Sequence, residues 1–458
     1  MSGFQVVVLW SDALVWLLVL AGIGLGVLIA KSPPLLAAWR RVGANRIGMA
    51  SATVLLAFVA IGLLDSLHYR VALDGKPGEK TQYAIEVLSA LDAIVGPLRS
   101  ENEKTYSAPF ATHLYAKETI DRPGLGTVRE FPRLKFGASH LEDPATLADD
   151  VAATALRTGA LALFGWLALA TLVAFRCGGW RAVWRGDTAF AWNAVLATLA
   201  AILLVLVPLF ALAGDYHVFG TDKVGQDVLY QILKSVRTAL IIGLVTTLVM
   251  LPMAVLLGIV AGYFRGWIDD LIQYLYTVLN SIPGVLLIAA AVLMMQVVID
   301  THPEWFATAA ERADLRLLAL CFILGITSWT GLCRLLRGET LKLRELEYIQ
   351  AAQAFGVSSW RIILRHILPN LMHIVIIALV MDFSGLVLAE AVLSYVGIGV
   401  DPTMTSFGTM INNARMELGR EPVVWWSLAA AFSAMFILVL AANLFADAVR
   451  DAFDPRAA

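Results

Sequence analysis

A chain of 458 residues that is 59% hydrophobic and only 15% charged, with a mean hydropathy of +0.75, lies far to the lipid-soluble side of ordinary globular composition. Its formal charge of −2 gives no electrostatic case for a nucleic-acid partner. Cys177, Cys321 and Cys333 lie in or beside apolar blocks without metal-ligand spacing and read as small packing groups.

The apolar residues fall in blocks of about 20, enough to cross a hydrocarbon core of ~30 Å. In chain order they lie at about 12–30, 48–66, 152–175, 189–213, 237–262, 270–298, 315–333, 371–395 and 425–446. Each is expected to be helical, because lipid offers backbone polar groups no other partner. The first block has no basic run before it and no small-residue cleavage site after it, so it reads as a retained helix. After it, residues 31–47 carry Lys31, Arg40, Arg41 and Arg46 with no acidic residue.

The long polar stretch 67–150 follows the second block. Within it Ile85, Leu88, Leu91, Ile94, Val95 and Leu98 recur at helical steps and predict an amphipathic helix. A small extracytoplasmic helical subdomain is the plain reading of this stretch, and a docking surface for a binding protein the sharper one. His113, His140 and His217 are scattered without neighbouring carboxylates in sequence and read as solvated rather than metal-binding.

Beyond the third block come Arg176, Arg181 and Arg185, and residues 334–366 carry Arg334, Arg337, Lys342, Arg344, Arg361 and Arg365. Residues 299–314 are acid-rich. Basic loops belong in the cytoplasm. The N-terminus is therefore expected outside and the C-terminus inside. Gly220 and Gly225 have phosphate-loop spacing, but Gln226 stands where the lysine belongs, and no nucleotide site is legible in the chain. Pro208, Pro252 and Pro283 fall within spans and are expected to kink them. Asp382 and Glu390 fall inside the block 371–395, where ionisable groups are expensive, and are candidate residues of a translocation path. The alternative for Glu390 is simple solvation near the outer interface.

The most informative stretch runs from Glu347 to Asn370. Residues 342–355 predict a helix, with Leu343, Leu346, Ile349 and Ala352 at helical spacing. Gly356 is its C-cap, and Ser358 is placed to cap a second helix. There Trp360, Ile363, Leu364, Ile367 and Leu368 share an apolar face and Arg361 and Arg365 another. Pro369 predicts a break or kink as the next membrane block begins. A helix–glycine–helix hairpin joined to a membrane span suits transmission of a push from a soluble partner; an ordinary surface hairpin fits the same residues.

This stretch resembles the EAA loop of bacterial ABC importer permeases: Gln350-Ala351-Ala352, then Gly356, then Leu368-Pro369 at matching distances, with Gln350 in place of the usual Glu and His366 in place of Ile. Phe219-Gly-Thr-Asp222 with Gly225 and Asp227-Val228, and Ser394-Tyr-Val-Gly397, are similar to the dipeptide/oligopeptide (DppC/OppC-type) branch, and the resemblance covers about 189–458. It does not cover 1–188, and with the apolar blocks it leads to an expected all-α polytopic membrane protein of about nine transmembrane helices, the last six, by resemblance, forming an ABC type I importer permease core. The expected divisions are 1–66, two N-terminal membrane helices; 67–150, the extracytoplasmic subdomain; 151–188, a further helix and basic loop; and 189–458, the permease core with its EAA-like loop at about 342–369. It implies a bacterial inner-membrane protein working with a second homologous permease, two ABC ATPase subunits and an extracytoplasmic binding protein, within membrane lipid. It implies no catalytic residue, cofactor or metal on this chain. Coupling falls to Glu347, Gln350, Ala351, Ala352, Gly356, Trp360, Ile363, Leu364, Ile367, Leu368 and Pro369. Short peptides lead as substrate, with nickel chelates, peptide antibiotics and modified sugars as sister cargoes. The rival classes are a secondary transporter, which needs inverted repeats, and a membrane enzyme, which needs a polar catalytic cluster; neither feature is legible.

Overall fold

A computed structural model describes residues 3–73, 82–122, 126–186, 188–306 and 308–453. In chain order the elements begin with β1 (Phe4–Val7), α1 (Trp10–Lys31), α2 (Pro33–Ala44), α3 (Arg46–Asp65), β2 (His68–Val71), β3 (Leu88–Ser89), α4 (Ala90–Ile94), α5 (Gly96–Ser100), β4 (Glu118–Arg122) and β5 (Gly126–Glu130). There follow α6 (Leu147–Arg176), α7 (Trp180–Arg185), α8 (Trp192–Leu212), α9 (Val228–Phe264), α10 (Trp267–Ser281), α11 (Gly284–Thr301), α12 (Ala309–Ser328) and α13 (Thr330–Arg344). The last are α14 (Glu347–Ala354), α15 (Ser359–Ile362), α16 (Leu368–Tyr395), α17 (Phe407–Glu417) and α18 (Trp426–Phe453). Among the described residues nine helical runs are long and apolar enough to cross a membrane, so the polytopic helical fold read from the blocks is the fold observed.

Three local expectations are corrected. The block 270–298 is two helices, because Ile282 is extended and Pro283 opens a new helix at Gly284. The 18 residues of α11 already reach about 27 Å at 1.5 Å per residue, close to a full hydrocarbon crossing. The amphipathic helix expected over Ile85–Leu98 is instead β3 followed by two one-turn helices. Ser89 and Asp92 form a capping box that starts α4, and Pro97 obliges a fresh start at α5. Leu91, Val95 and Leu98 are buried, whereas Ile85 and Ile94 are exposed. The polar segment also contains strands: β2 pairs antiparallel with β3 and with the N-terminal β1, and β4 and β5 make a hairpin.

The chain folds as two compact units, one from Met1–Val8, Trp39–Ala239 and Thr405–Leu444, the other from Leu9–Ala38, Leu240–Met404 and Phe445–Ala458. In the first, α3 and α6 both lie along α8. Small side chains permit this: Gly48, Ser51 and Gly62 are the buried positions of α3 along with Asp65, and Ala162, Ala170 and Ala174 those of α6. Trp166 Nε1 donates to the Leu196 carbonyl at 2.8 Å, crossing from α6 to α8. Lys234, near the start of α9, lies 2.6 Å from Asp65 and 3.2 Å from Asp92. One ammonium thus ties α3, the 67–150 segment and α9 together.

In the second unit α9 lies against α12 and α13 along a row of glycines. A Cβ on Gly258 would stand 2.8 Å from the Cys333 carbonyl oxygen, and one on Gly262 2.8 Å from that of Arg337. Two backbones in such contact gain dispersion energy that larger residues forbid, the main source of helix association in lipid. Around them Met250, Ile259, Tyr263, Leu332 and Leu336 form a buried core that takes in Cys333, while Cys321 is buried on α12. Arg337 closes the packing by donating from Nε and Nη2 to Asp269 of α10 at 2.6 and 2.7 Å. Replacing Gly262 by Val is expected to force α9 off α13 at an overpacking cost of about 1–3 kcal/mol. The purified Gly262→Val protein should melt several degrees below wild type and Gly262→Ala should fall between them; equal melting temperatures would refute the close contact.

Candidate functional site

The helix expected over 342–355 is divided: α13 ends at Arg344, Leu346 turns extended, and α14 restarts at Glu347. At its far end α14 closes with paired bonds, from Val357 N–H to the Ala352 carbonyl at 3.1 Å and from Gly356 N–H to that of Gln353 at 2.9 Å. This is a Schellman turn, with Gly356 at φ 75° as its left-handed residue. A Cβ there meets nothing within 4 Å, so the glycine is required by backbone conformation and not by space. Ser358 takes the capping position, though its side chain makes no cap bond.

Beyond Ser358 the helix does not break at Pro369. From Ser359 to Tyr395 it is one run, with a π turn over Ile363–Ile367. Widening the pitch for one turn before Pro369 accommodates a residue that has no N–H and crowds the carbonyl four residues back. Asn370 Nδ2 donates to the His366 carbonyl at 2.6 Å, supplying a side-chain donor to the same turn.

The π turn also changes which side chains face inward. Ile362, Ile363 and Ile367 are buried together with Ile349 of α14, and the row continues at Leu371 and Val375. The expected apolar face is therefore only half right: Ile363 and Ile367 are in the core and Leu368 packs against it, whereas Trp360 and Leu364 are 54% and 62% exposed. Ala352 and Val357 pack on the core too. Glu347, Gln350, Ala351, Gly356 and Pro369 are exposed, as is Phe355 beside the turn at 87%. Tyr348, not anticipated from the sequence, brings its hydroxyl 3.2 Å from Asn370 Nδ2, joining α14 to the membrane helix α16. Gln350 Nε2 donates to the Glu345 carbonyl at 3.2 Å, and Arg265 pairs with Glu345 at 2.6 Å on the exposed side. Four isoleucines thus fasten the hairpin to the run that continues as α16, while Glu347, Gln350, Ala351 and Phe355 stay exposed.

On α16 the two candidate carboxylates differ. Glu390 is buried, not solvated, and accepts from Ser394 Oγ at 2.6 Å. Asp382 is half-buried, and no hydrogen bond or ion pair reaches it among the described residues.

A third constellation was missed in the sequence. His217 is buried, with Nδ1 2.8 Å from Asp227 and Nε2 3.6 Å from Glu103. Asp227 also caps α9, accepting from Leu229 N–H at 2.7 Å. Glu103 accepts from the backbone N–H groups of Lys135, Phe136 and Gly137 at 3.0, 2.7 and 3.1 Å. Residues 103–107 lie directly on the Gly220–Gly225 turn, where a Cβ on Gly225 would stand 1.8 Å from the Glu103 carbonyl oxygen and one on Gly220 2.5 Å from that of Ser107. The glycine pair with phosphate-loop spacing therefore admits another stretch of backbone. Burial alone would push Glu103 up, but His217 and the three N–H donors outweigh it and hold the carboxyl at about 2. Burial likewise works against a charged His217, but Asp227 and Glu103 raise it to about 9.

Residues 254–458 match the family of binding-protein-dependent transport system inner membrane components. The oligopeptide transport system permease protein OppC of Mycobacterium tuberculosis is 31% identical over 282 residues, 57% of this chain and 90% of that protein. The chain belongs to this permease family. The glutathione transport system permease protein GsiD of Pectobacterium atrosepticum is 34% identical over 242 residues, 52% of this chain and 73% of the relative. The dipeptide transport system permease protein DppC of Bacillus subtilis is 30% identical over 242 residues, 52% and 69% respectively. The molecule is therefore an ABC importer permease, a multi-pass subunit of an inner-membrane transport complex.

The permease's His217 cluster has a defined pH window. A histidine raised from 6.5 to about 9 contributes stability that is full below about 6.5 and is lost as pH rises through 9. Glu103, lowered from 4.5 to about 2, contributes above 4.5 and loses its share as pH falls towards 2. Protection of the amides of residues 103–107, judged from the exchange rate relative to the intrinsic base-catalysed rate at each pH, should be highest between those limits and fall from pH 6.5 to 9; in His217→Gln that alkaline loss of protection should vanish, and an identical loss would remove His217 from the junction.

Proposed function

We propose that this permease is one half of the translocation unit of an ATP-driven importer of di- or oligopeptides, and that the hairpin around Gly356 is where separate ATPase subunits drive it. The observation that carries the reading is the mechanical continuity of the hairpin with a membrane span. Ile349 on α14 and Ile362, Ile363 and Ile367 beyond the turn share one core, and the helix holding the last three runs unbroken to Tyr395. A force on α14 therefore moves α16. The exposed groups Glu347, Gln350, Ala351 and Phe355 form the contact surface, while Ala352, Gly356 and the isoleucines hold its shape. Trp360 and Leu364 lie outside that core, and Leu368 and Pro369 carry the motion into the span.

The peptide assignment rests on the relatives, named for oligopeptides, dipeptides and glutathione, all of them peptides. A second homologous permease completes the pathway, two ATPase subunits bind and hydrolyse ATP, and an extracytoplasmic binding protein delivers the substrate. The basic loops set the orientation: the N-terminus and the 67–150 segment outside, the hairpin and C-terminus in the cytoplasm. In this arrangement 1–66 and 151–188 add three membrane helices to a core at 189–458, and Asp382 and Glu390 belong to the interior of the pathway.

The test is Gly356→Val in the complete transporter. Left-handed strain of ~1–2 kcal/mol should open the turn and reduce peptide uptake roughly five- to thirtyfold, with insertion into the membrane unchanged. Gly356→Asn, which tolerates the same conformation, should retain more uptake than the valine variant. Wild-type uptake by Gly356→Val would refute the coupling role, and solute movement by the chain purified alone would refute the ATP-driven class.

A further inference from the structure

We propose that the groove between α9 and the α15–α16 run is a binding site for an acidic phospholipid, with an acyl chain in the groove and the headgroup on Arg361 and Arg365. The groove, about 270 Å³, is lined by apolar side chains alone, among them Leu256, Ile259, Trp360, Ile363, Leu364 and Met372. Leu256, Trp360 and Leu364 are each more than half exposed. Water is a poor neighbour for that surface and a hydrocarbon chain a good one.

The charge pattern fixes the depth. From Thr238 to Phe264, α9 carries no Asp, Glu, Lys or Arg, and the first charge after it is Arg265. On the other wall the last charges before the uncharged stretch are Arg361 and Arg365. One end of the groove, at Trp360, Ile363 and Leu364, thus lies level with the last charges, Arg361 and Arg365, and the rest runs into the uncharged stretch, as at a boundary between headgroups and hydrocarbon. Trp360, its ring 6.1 Å from Phe264, stands at that level, where an amphipathic ring is most stable.

The same level shows what headgroup fits. Arg265 is occupied by Glu345 at 2.6 Å. Arg361 and Arg365, one helical turn apart and each next in sequence to a groove residue, have no hydrogen bond or ion pair among the described residues. Two guanidinium groups without a carboxylate match a phosphate diester, which they grip through paired N–H donors. Basic sites between membrane helices on the cytoplasmic side select anionic lipid in this way. The π turn over Ile363–Ile367 forms part of the wall, so an occupied groove braces the helix that joins hairpin to span. The choice of leaflet rests on the proposed topology; the groove and its unpaired arginines do not.

The experiment uses the complete transporter, purified, delipidated and titrated with phosphatidylglycerol or phosphatidylcholine, with bound lipid counted by native mass spectrometry. Wild type should retain phosphatidylglycerol preferentially. Arg361→Gln and Arg365→Gln should each lower its retention about fivefold with little effect on phosphatidylcholine, and Leu256→Trp, which fills the groove, should lower both. Co-elution of all subunits on size exclusion identifies variants that remain assembled. No preference in wild type, or unchanged retention in an assembled double-arginine variant, would overturn the proposal. Cross-linking of Leu256→Cys to the second permease would overturn it too, by showing that a protein helix covers the groove. Labelling of Arg361→Cys by an impermeant thiol reagent from outside the cell would separately overturn the topology and hence the leaflet.

Discussion

Lipid gives a peptide group nothing to bond to, and the permease is shaped throughout by the need to satisfy its backbone internally. Where the chain keeps a regular ladder, that need is met without comment. Where proline interrupts, the responses differ. At Pro283 the helix ends and a new one starts, leaving α10 as a separate amphipathic helix anchored by Asp269 on Arg337. At Pro369 the ladder widens into a π turn and Asn370 supplies a side-chain donor, so α15 and α16 remain one rod. A hinge at Pro369 would absorb motion that such a rod transmits.

The spans were legible in the sequence because their cause is simple: apolar length matched to bilayer thickness. The turn at Gly356 was equally legible, since a left-handed C-cap strongly favours a residue without Cβ and helix formers precede it. What failed were inferences that assumed a constant helical pitch. Trp360 and Leu364 share a face with Ile363 and Ile367 on an ideal α-helix, but one residue more per turn brings Ile362 into the core instead. The helix drawn through Ile85 and Leu98 overlooked the proline at 97 and the capping pair Ser89 and Asp92, both present in the sequence. His217 could not have been read, because Glu103 lies more than a hundred residues away and nothing local distinguishes a buried imidazole from a solvated one. The hint available was Asp227, whose place just before α9 marks a cap; that the same carboxylate also holds a histidine needed the fold.

The long segment 67–150 is bonded into the first unit at several independent points. Leu91, Val95 and Leu98 share a core with Leu212, Tyr216 and Leu229. Tyr115 stacks edge-on against Trp426 at 4.8 Å, and Trp426 Nε1 donates to the Thr221 carbonyl at 3.0 Å. With Lys234 between Asp65 and Asp92, these contacts make the segment a brace for the starts of α9 and α18. The two carboxylates of the segment buried at this junction are paired, Asp92 with Lys234 and Glu103 with His217, since a carboxylate buried alone there costs several kcal/mol.

The turn at Gly356 has one further consequence. Its geometry is written in the main chain: two backbone hydrogen bonds and one dihedral angle. Neither Gln350 nor Phe355 contributes a side chain to the bonds that close it. The form of the turn is therefore independent of the outward side chains, which could be exchanged, even wholesale in a chimaeric transporter, while the hairpin keeps its shape. Gln350, in place of the glutamate of the pattern this loop resembles, leaves the bonds that close the turn untouched.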